Sequence, residues 1–143
     1  MAGSGLTGGI DFIAQAAHAR LAWLTFGRIR TIHLNAVLYG WITNAALGVI
    51  VWVLPRLLRT PLVGAMWVMV GGALLNTGIA SGIGAIGAGW TDGMEYLEIP
   101  WQIGIFIAAG FICIVGPVLF TLVNRKVESL YVSVWYMVAA LLW

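Results

Sequence analysis

An imidazole stands at position 33, inside the apolar run TIHLNAVLYGWITNAALGVIVWVL of residues 31–54. A titratable side chain within a run of that length is costly to place in a bilayer, faces protein rather than lipid, and is a functional hypothesis by default. At helical spacing His33 shares its face with Ala36, Val37, Gly40, Asn44 and Gly48, with Leu47 at the edge. Apart from Val37 and Leu47 these are small or polar. That relief would admit a bulky, flat apolar ligand, with the imidazole placed to coordinate a metal at its centre. The same residues also fit a histidine hydrogen-bonded to a neighbouring helix, with small side chains allowing close packing.

Arg28 and Arg30 precede His33 by about a turn and a half or less. Were the ligand a haem, its propionates would seek guanidinium partners, because arginine binds carboxylates through paired charge-assisted bonds. The alternative is a pair of interfacial anchors that snorkel into headgroups. In the stretch GWTDGMEYLEIPW, Glu95, Tyr96 and Glu98 lie between Trp90 and Trp101. Carboxylates and backbone carbonyls are the hard oxygen donors that Ca²⁺ accepts. A solvated loop beside an aromatic belt accounts for the same residues.

The elements that must position these groups are membrane helices. The chain has 143 residues, 62% of them hydrophobic and 8% charged, against about 25% charged in soluble domains. An ordinary water-soluble enzyme is excluded. A net charge of +2, with no basic patch, excludes a nucleic-acid partner and leaves membrane lipid as the surroundings. The one cysteine, Cys113, allows no intrachain disulfide and no paired-thiol metal site. Apolar runs predict an all-α membrane protein with spans at 31–54, 61–88 and 99–123 and a fourth begun at 129–143. That last run is about 22 Å long at 1.5 Å per residue, short of the roughly 30 Å hydrocarbon core. Residues 1–30 mix Asp11, Gln15, His18 and Arg20 with apolar side chains and are expected to lie at the interface. No secretory signal pattern is present, so this segment is expected to stay.

Arg56 and Arg59 follow the first span and Arg125 and Lys126 the third, so both turns are expected on the cytoplasmic side, with the acidic loop opposite. The second span is glycine-rich, with Gly78 and Gly82 in G-x-x-x-G register, and should pack closely on a neighbour. Asn76 within it needs a hydrogen-bond partner on another helix.

The run FGRIRTIHLNAVLYGW resembles the second-helix region of the catalytic subunit I of cbb3-type cytochrome c oxidases, in the haem-copper oxidase superfamily. TDGMEYLEIPWQI is similar to that family's outer loop with its Glu-Tyr-x-Glu pattern, and NRKVESLYVSVWYMVAALLW to its following helix. Nitric oxide reductases are close relatives and share these features. Thr31 stands where proline is usual and Leu34 where threonine is common, and neither change removes the imidazole.

The resemblance implies that His33 is an axial ligand of a low-spin haem b, and on the charge argument above Arg28 and Arg30 would then steady its propionates. It also implies that Glu95 and Tyr96 bind a calcium ion that touches those propionates. The family's second axial histidine, its copper ligands and its high-spin haem ligand lie in later helices, so this chain is expected to be a split or truncated N-terminal part of subunit I. It would work with a chain carrying the remaining helices and with c-type cytochrome subunits, in a bacterial inner membrane, and would not be catalytic alone. The competing readings are a structural or assembly subunit without cofactor and a part of a nitric oxide reductase. A small transporter is disfavoured because no charged residue lies in the middle of a span.

Overall fold

The computed structural model describes residues 25–142, so Asp11, Gln15, His18, Arg20 and the rest of the expected interfacial segment up to residue 24 lie outside the described residues. Every regular element among the described residues is helical: α1 (Phe26–Leu57), α2 (Ala65–Ala88), α3 (Trp101–Val123) and α4 (Val132–Leu142). The first three are long and apolar enough to cross a membrane. The chain is a membrane protein. α1 begins at Phe26 rather than at 31, and Arg28 and Arg30 therefore sit in its first turns.

α1 is not uniform. Its middle, Ala36–Thr43, is a π-helix between α-helical ends. An i→i+5 ladder takes more residues per turn than the α-helix, and side chains supplement its bonding. Thr43 Oγ1 donates to the Leu38 carbonyl at 2.8 Å, and Asn44 Nδ2 to the Gly40 carbonyl at 2.7 Å.

α2 is the central helix, with 39% of its apolar window buried against 17% for α1 and for α3. Its closest neighbour is α3, approached over glycine. A Cβ on Gly110 would stand 2.5 Å from the Leu75 backbone nitrogen, and one on Gly71 would stand 2.7 Å from the Gly110 carbonyl oxygen. Gly78 and Gly82 likewise meet Ile107 and Ile99. Small residues permit this approach, and dispersion over the contact holds it in a solvent as apolar as the side chains. α1 packs on α2 through Gly40 against Ile79, and through a mutual amide pair. Asn44 Nδ2 donates to Asn76 Oδ1 at 3.2 Å and Asn76 Nδ2 to Asn44 Oδ1 at 3.1 Å. This is the partner Asn76 requires.

Leu47, Ile50, Leu54 and Leu58 from α1 and the turn after it meet Leu75 and Ile79, Ile114 and Val118, and Val134 and Leu141 in one apolar core. Trp41, Trp52, Met69, Ile112 and Phe120 stay on the outside, as a bilayer-facing surface requires. The two basic turns lie together, since the Lys126 backbone N–H donates to the Leu58 carbonyl at 3.1 Å and the Val63 N–H to Thr121 Oγ1 at 3.0 Å.

The glycine contact yields a direct test. Gly110→Val is expected to destabilise the α2–α3 pair by at least about 1–3 kcal/mol through overpacking. Gly104→Ala, with nothing within 4 Å, should instead stabilise by about 0.5–1 kcal/mol. Equilibrium unfolding in mixed micelles measures both, and equal effects would refute the glycine contact.

Candidate functional site

The chemistry-bearing residues gather where the first turns of α1 meet the end of α2 and the loop of residues 89–100. At about 100° per residue, Arg28, Ile32 and Asn35 form one row along α1. All three turn toward the other elements. Arg28 Nη1 donates to the Gly87 carbonyl at 3.3 Å, and its guanidinium crosses Gly89, where a Cβ would stand 2.8 Å from Nη2. Gly89 also has φ +91°, so glycine is required there for both backbone and space. Ile32 reaches over Gly87.

Asn35 is 1% exposed and Glu98 8% exposed. Asn35 Nδ2 donates to Glu98 Oε2 at 2.8 Å and to the Thr31 carbonyl at 2.9 Å. Both amide hydrogens are thereby used, while Asn35 Oδ1 is buried with no hydrogen-bond partner among the described residues. A turn further on, the Tyr39 hydroxyl donates to the Tyr96 carbonyl at 2.7 Å. Tyr96 has φ +67°, a conformation costing a side-chain-bearing residue about 1–2 kcal/mol. Its carbonyl is presented to Tyr39 by that turn. Asp92 closes the loop at the other side, its Oδ2 accepting the Trp101 N–H at the start of α3 at 2.8 Å.

Arg30 and Glu95 form an ion pair at 3.2 Å, with side chains 53% and 63% exposed. A pair so open to solvent is worth little. Glu95 therefore faces Arg30, and the Tyr96 carbonyl faces Tyr39. Among the described residues no group of three or more His, Cys, Asp or Glu side chains is placed to hold a metal ion.

His33 lies about 130° round α1 from the Arg28–Ile32–Asn35 row. Its side chain is half-buried, and no hydrogen bond to its imidazole is formed among the described residues. The neighbouring-helix bond considered from the sequence is not made there. The row of small residues assumed to continue its face is divided by the π-helical stretch. Gly40 faces Ile79, Asn44 faces Asn76 and Leu47 enters the core, while Gly48 has open space around it. A row drawn at the α-helical period drifts across a segment of larger period, and this is what sequence spacing alone misjudges.

Asn35, Tyr39 and the burial of Glu98 carry no motif in the sequence. An available signal was the rule that a polar group at membrane depth needs an internal partner, which applies to Asn35 as it does to Asn76.

Helices with apolar outer surfaces, glycine-mediated packing and polar groups paired internally define a multi-pass α-helical membrane protein. The family is shown by sequence comparison: residues 2–143 match the family described as Cytochrome C and Quinol oxidase polypeptide I, and the chain belongs to it. It is 31% identical over 129 residues to a cytochrome c oxidase subunit 1 homolog of Azorhizobium caulinodans, an alignment covering 85% of this chain and 22% of that protein. To the Cbb3-type cytochrome c oxidase subunit CcoN1 of Stutzerimonas stutzeri it is 30% identical over 125 residues, covering 85% of this chain and 26% of the relative. Cytochrome c oxidase subunit 1 of Rhodobacter capsulatus is 28% identical over 116 residues, 79% of this chain and 21% of that one. The chain thus spans about a quarter or less of the length of these relatives. The family inferred from the three sequence blocks is the family that matches.

Two of the ties between α1 and the loop can be separated experimentally. Asn35→Ala leaves a buried carboxyl group without its donor and is expected to cost about 1–3 kcal/mol. Arg30→Gln removes an exposed ion pair and should cost well under 1 kcal/mol. Hydrogen exchange at the amides of residues 91–98 should rise markedly in the first variant only, and an equal response in both would contradict this ranking.

Proposed function

We propose that this chain forms the low-spin haem b side of a haem-copper terminal oxidase subunit I and passes electrons to a binuclear centre carried by a partner chain. The observation that supports this most is the His33 imidazole, half-buried on α1, away from the row that packs on α2 and the loop, and bound to nothing among the described residues. An imidazole at the rim of a spanning helix is costly to leave without a partner where water is scarce. Coordination through one ring nitrogen would satisfy it.

The residues fit such a group. His33 would supply one axial bond and a histidine of the partner chain the other, an arrangement that fills both axial positions and suits electron transfer rather than ligand binding. The bound haem supplies a reversible one-electron redox centre. Arg28 and Arg30 would hold its propionates, Arg28 releasing the Gly87 carbonyl and Arg30, being exposed, turning from Glu95. Calcium belongs to the same proposal. Glu95 and Tyr96 would be its ligands, the ion competing with Arg30 for the Glu95 carboxylate.

In this reading the complex sits in a bacterial inner membrane, receives electrons from c-type cytochrome subunits, reduces oxygen and translocates protons. The competing reading, a structural subunit without cofactor, makes the opposite prediction about iron. With the complex purified from membranes, a reduced-minus-oxidised spectrum should show a low-spin haem b signal. His33→Ala should abolish that signal while helix content by circular dichroism stays unchanged. An undiminished signal in the variant would rule out His33 as the ligand.

A further inference from the structure

The opposite end of α1 carries a feature that electron transfer does not use. α1 ends in a Schellman motif: the Thr60 N–H donates to the Pro55 carbonyl at 3.1 Å and the Arg59 N–H to the Arg56 carbonyl at 3.2 Å. The position between them needs a left-handed backbone, for which glycine is the ordinary choice. α2 follows that rule at its own end, where Gly89 has φ +91° and Trp90 and Gly89 donate to Ala85 and Ile86. In α1 the same position is Arg59, with φ +52°. An arginine stands where the backbone favours glycine.

Its neighbour is equally placed in advance. The Arg56 guanidinium lies 3.8 Å from the centroid of the Trp52 ring, and Arg56 Nη1 donates to the Trp52 carbonyl at 2.6 Å. Stacking and hydrogen bonding together fix a side chain that would otherwise lose rotamer freedom on binding. Arg56 and Arg59 line one groove of 580 Å³ with Val51, Trp52 and Leu62, and no residue lining it is acidic. Leu54 and Leu58, both fully buried, anchor this end in the core. Neither arginine makes an ion pair among the described residues. Arg125 and Lys126 lie on the adjoining turn, joined to this one by the Lys126–Leu58 backbone bond, and Glu128 offsets one of their charges.

We propose that this groove is the seat of an anionic phospholipid, its phosphodiester held by Arg56 and Arg59 and its acyl chain lying along Trp52 and Val51. Charge complementarity selects the headgroup, since a juxtamembrane guanidinium favours an anionic lipid by about fivefold. The apolar wall beside it selects a lipid over free phosphate. A groove at the rim of a spanning helix places both within reach of the same molecule.

Trp52 reports occupancy. The complex is reconstituted in phosphatidylcholine vesicles containing a minor fraction of phosphatidylglycerol brominated on its acyl chains, or of equally brominated phosphatidylcholine. The emission of Trp52 is taken as the difference between the parent protein and Trp52→Phe. Brominated phosphatidylglycerol should half-quench it at about 25-fold lower mole fraction than the zwitterionic lipid, from two arginines at about fivefold each. Arg59→Gln should lower that preference about fivefold and Arg56→Gln with Arg59→Gln should erase it, whereas Arg125→Gln should leave it nearly unchanged. Arg59→Gly separates binding from folding, because it should raise thermal stability while losing about the same fivefold preference. Equal quenching by the two lipids, or a preference that survives the double substitution, overturns the proposal. Absence of quenching by either lipid would show the groove covered by protein and overturns it too.

Discussion

The hydrogen bond from Asn35 to Glu98 sets the rotation of α1, and the environment of His33 depends on that rotation. A carboxyl group buried at 8% exposure is tolerable only with a donor, and the donor is on a helix whose other face carries the imidazole. Because Asn35 donates across the packing to Glu98, its other amide hydrogen going to Thr31 within α1, the helix cannot turn without breaking a buried bond. Arg28 on Gly87 and Tyr39 on the Tyr96 carbonyl act in the same sense. The exposed Arg30–Glu95 pair lies beside them and adds little to this restraint.

Two kinds of force therefore hold the molecule, and they are spatially separated. α2 and α3 join through glycines that let the backbones meet, an interaction that needs shape alone. α1 joins through polar groups: amide to carboxyl near the acidic loop, amide to amide at Asn44 and Asn76, and then apolar contact around Leu54 and Leu58. In hydrocarbon, where apolar surfaces gain nothing from excluding water, each polar pair also states which neighbour is correct.

Much of this was legible in the residue string. Runs of membrane length announce α1, α2 and α3, because few other structures tolerate so little charge. The glycines of α2 announce a close neighbour, and Asn76 a polar one. The block around Arg28, Arg30 and His33 led to the family through motif rather than through physics. Other features were hidden for identifiable reasons. The π-helical stretch in AVLYGWIT has no compositional mark, so a row from His33 to Gly48 at the α-helical period does not hold in the folded chain. Glu98 and Glu95 are acids of one loop, and only tertiary packing decides that one is buried on Asn35 and the other is solvated on Arg30. The early start of α1 at Phe26 was obscured by its two arginines, which look interfacial and are helical as well.

The 32 residues of α1 amount to about 48 Å at 1.5 Å rise, an upper value given the π-helical turns. A hydrocarbon layer of about 30 Å cannot contain that length even at a tilt of 40°, the steep limit seen for spanning helices. The surplus must project into the headgroup layer. Phe26 to Arg30 at one tip and Pro55 to Leu57 at the other are the residues best able to lie there. His33 then sits less than a turn inside Arg30, near the boundary where dielectric falls steeply, close enough to water for the charged groups nearby to remain solvated.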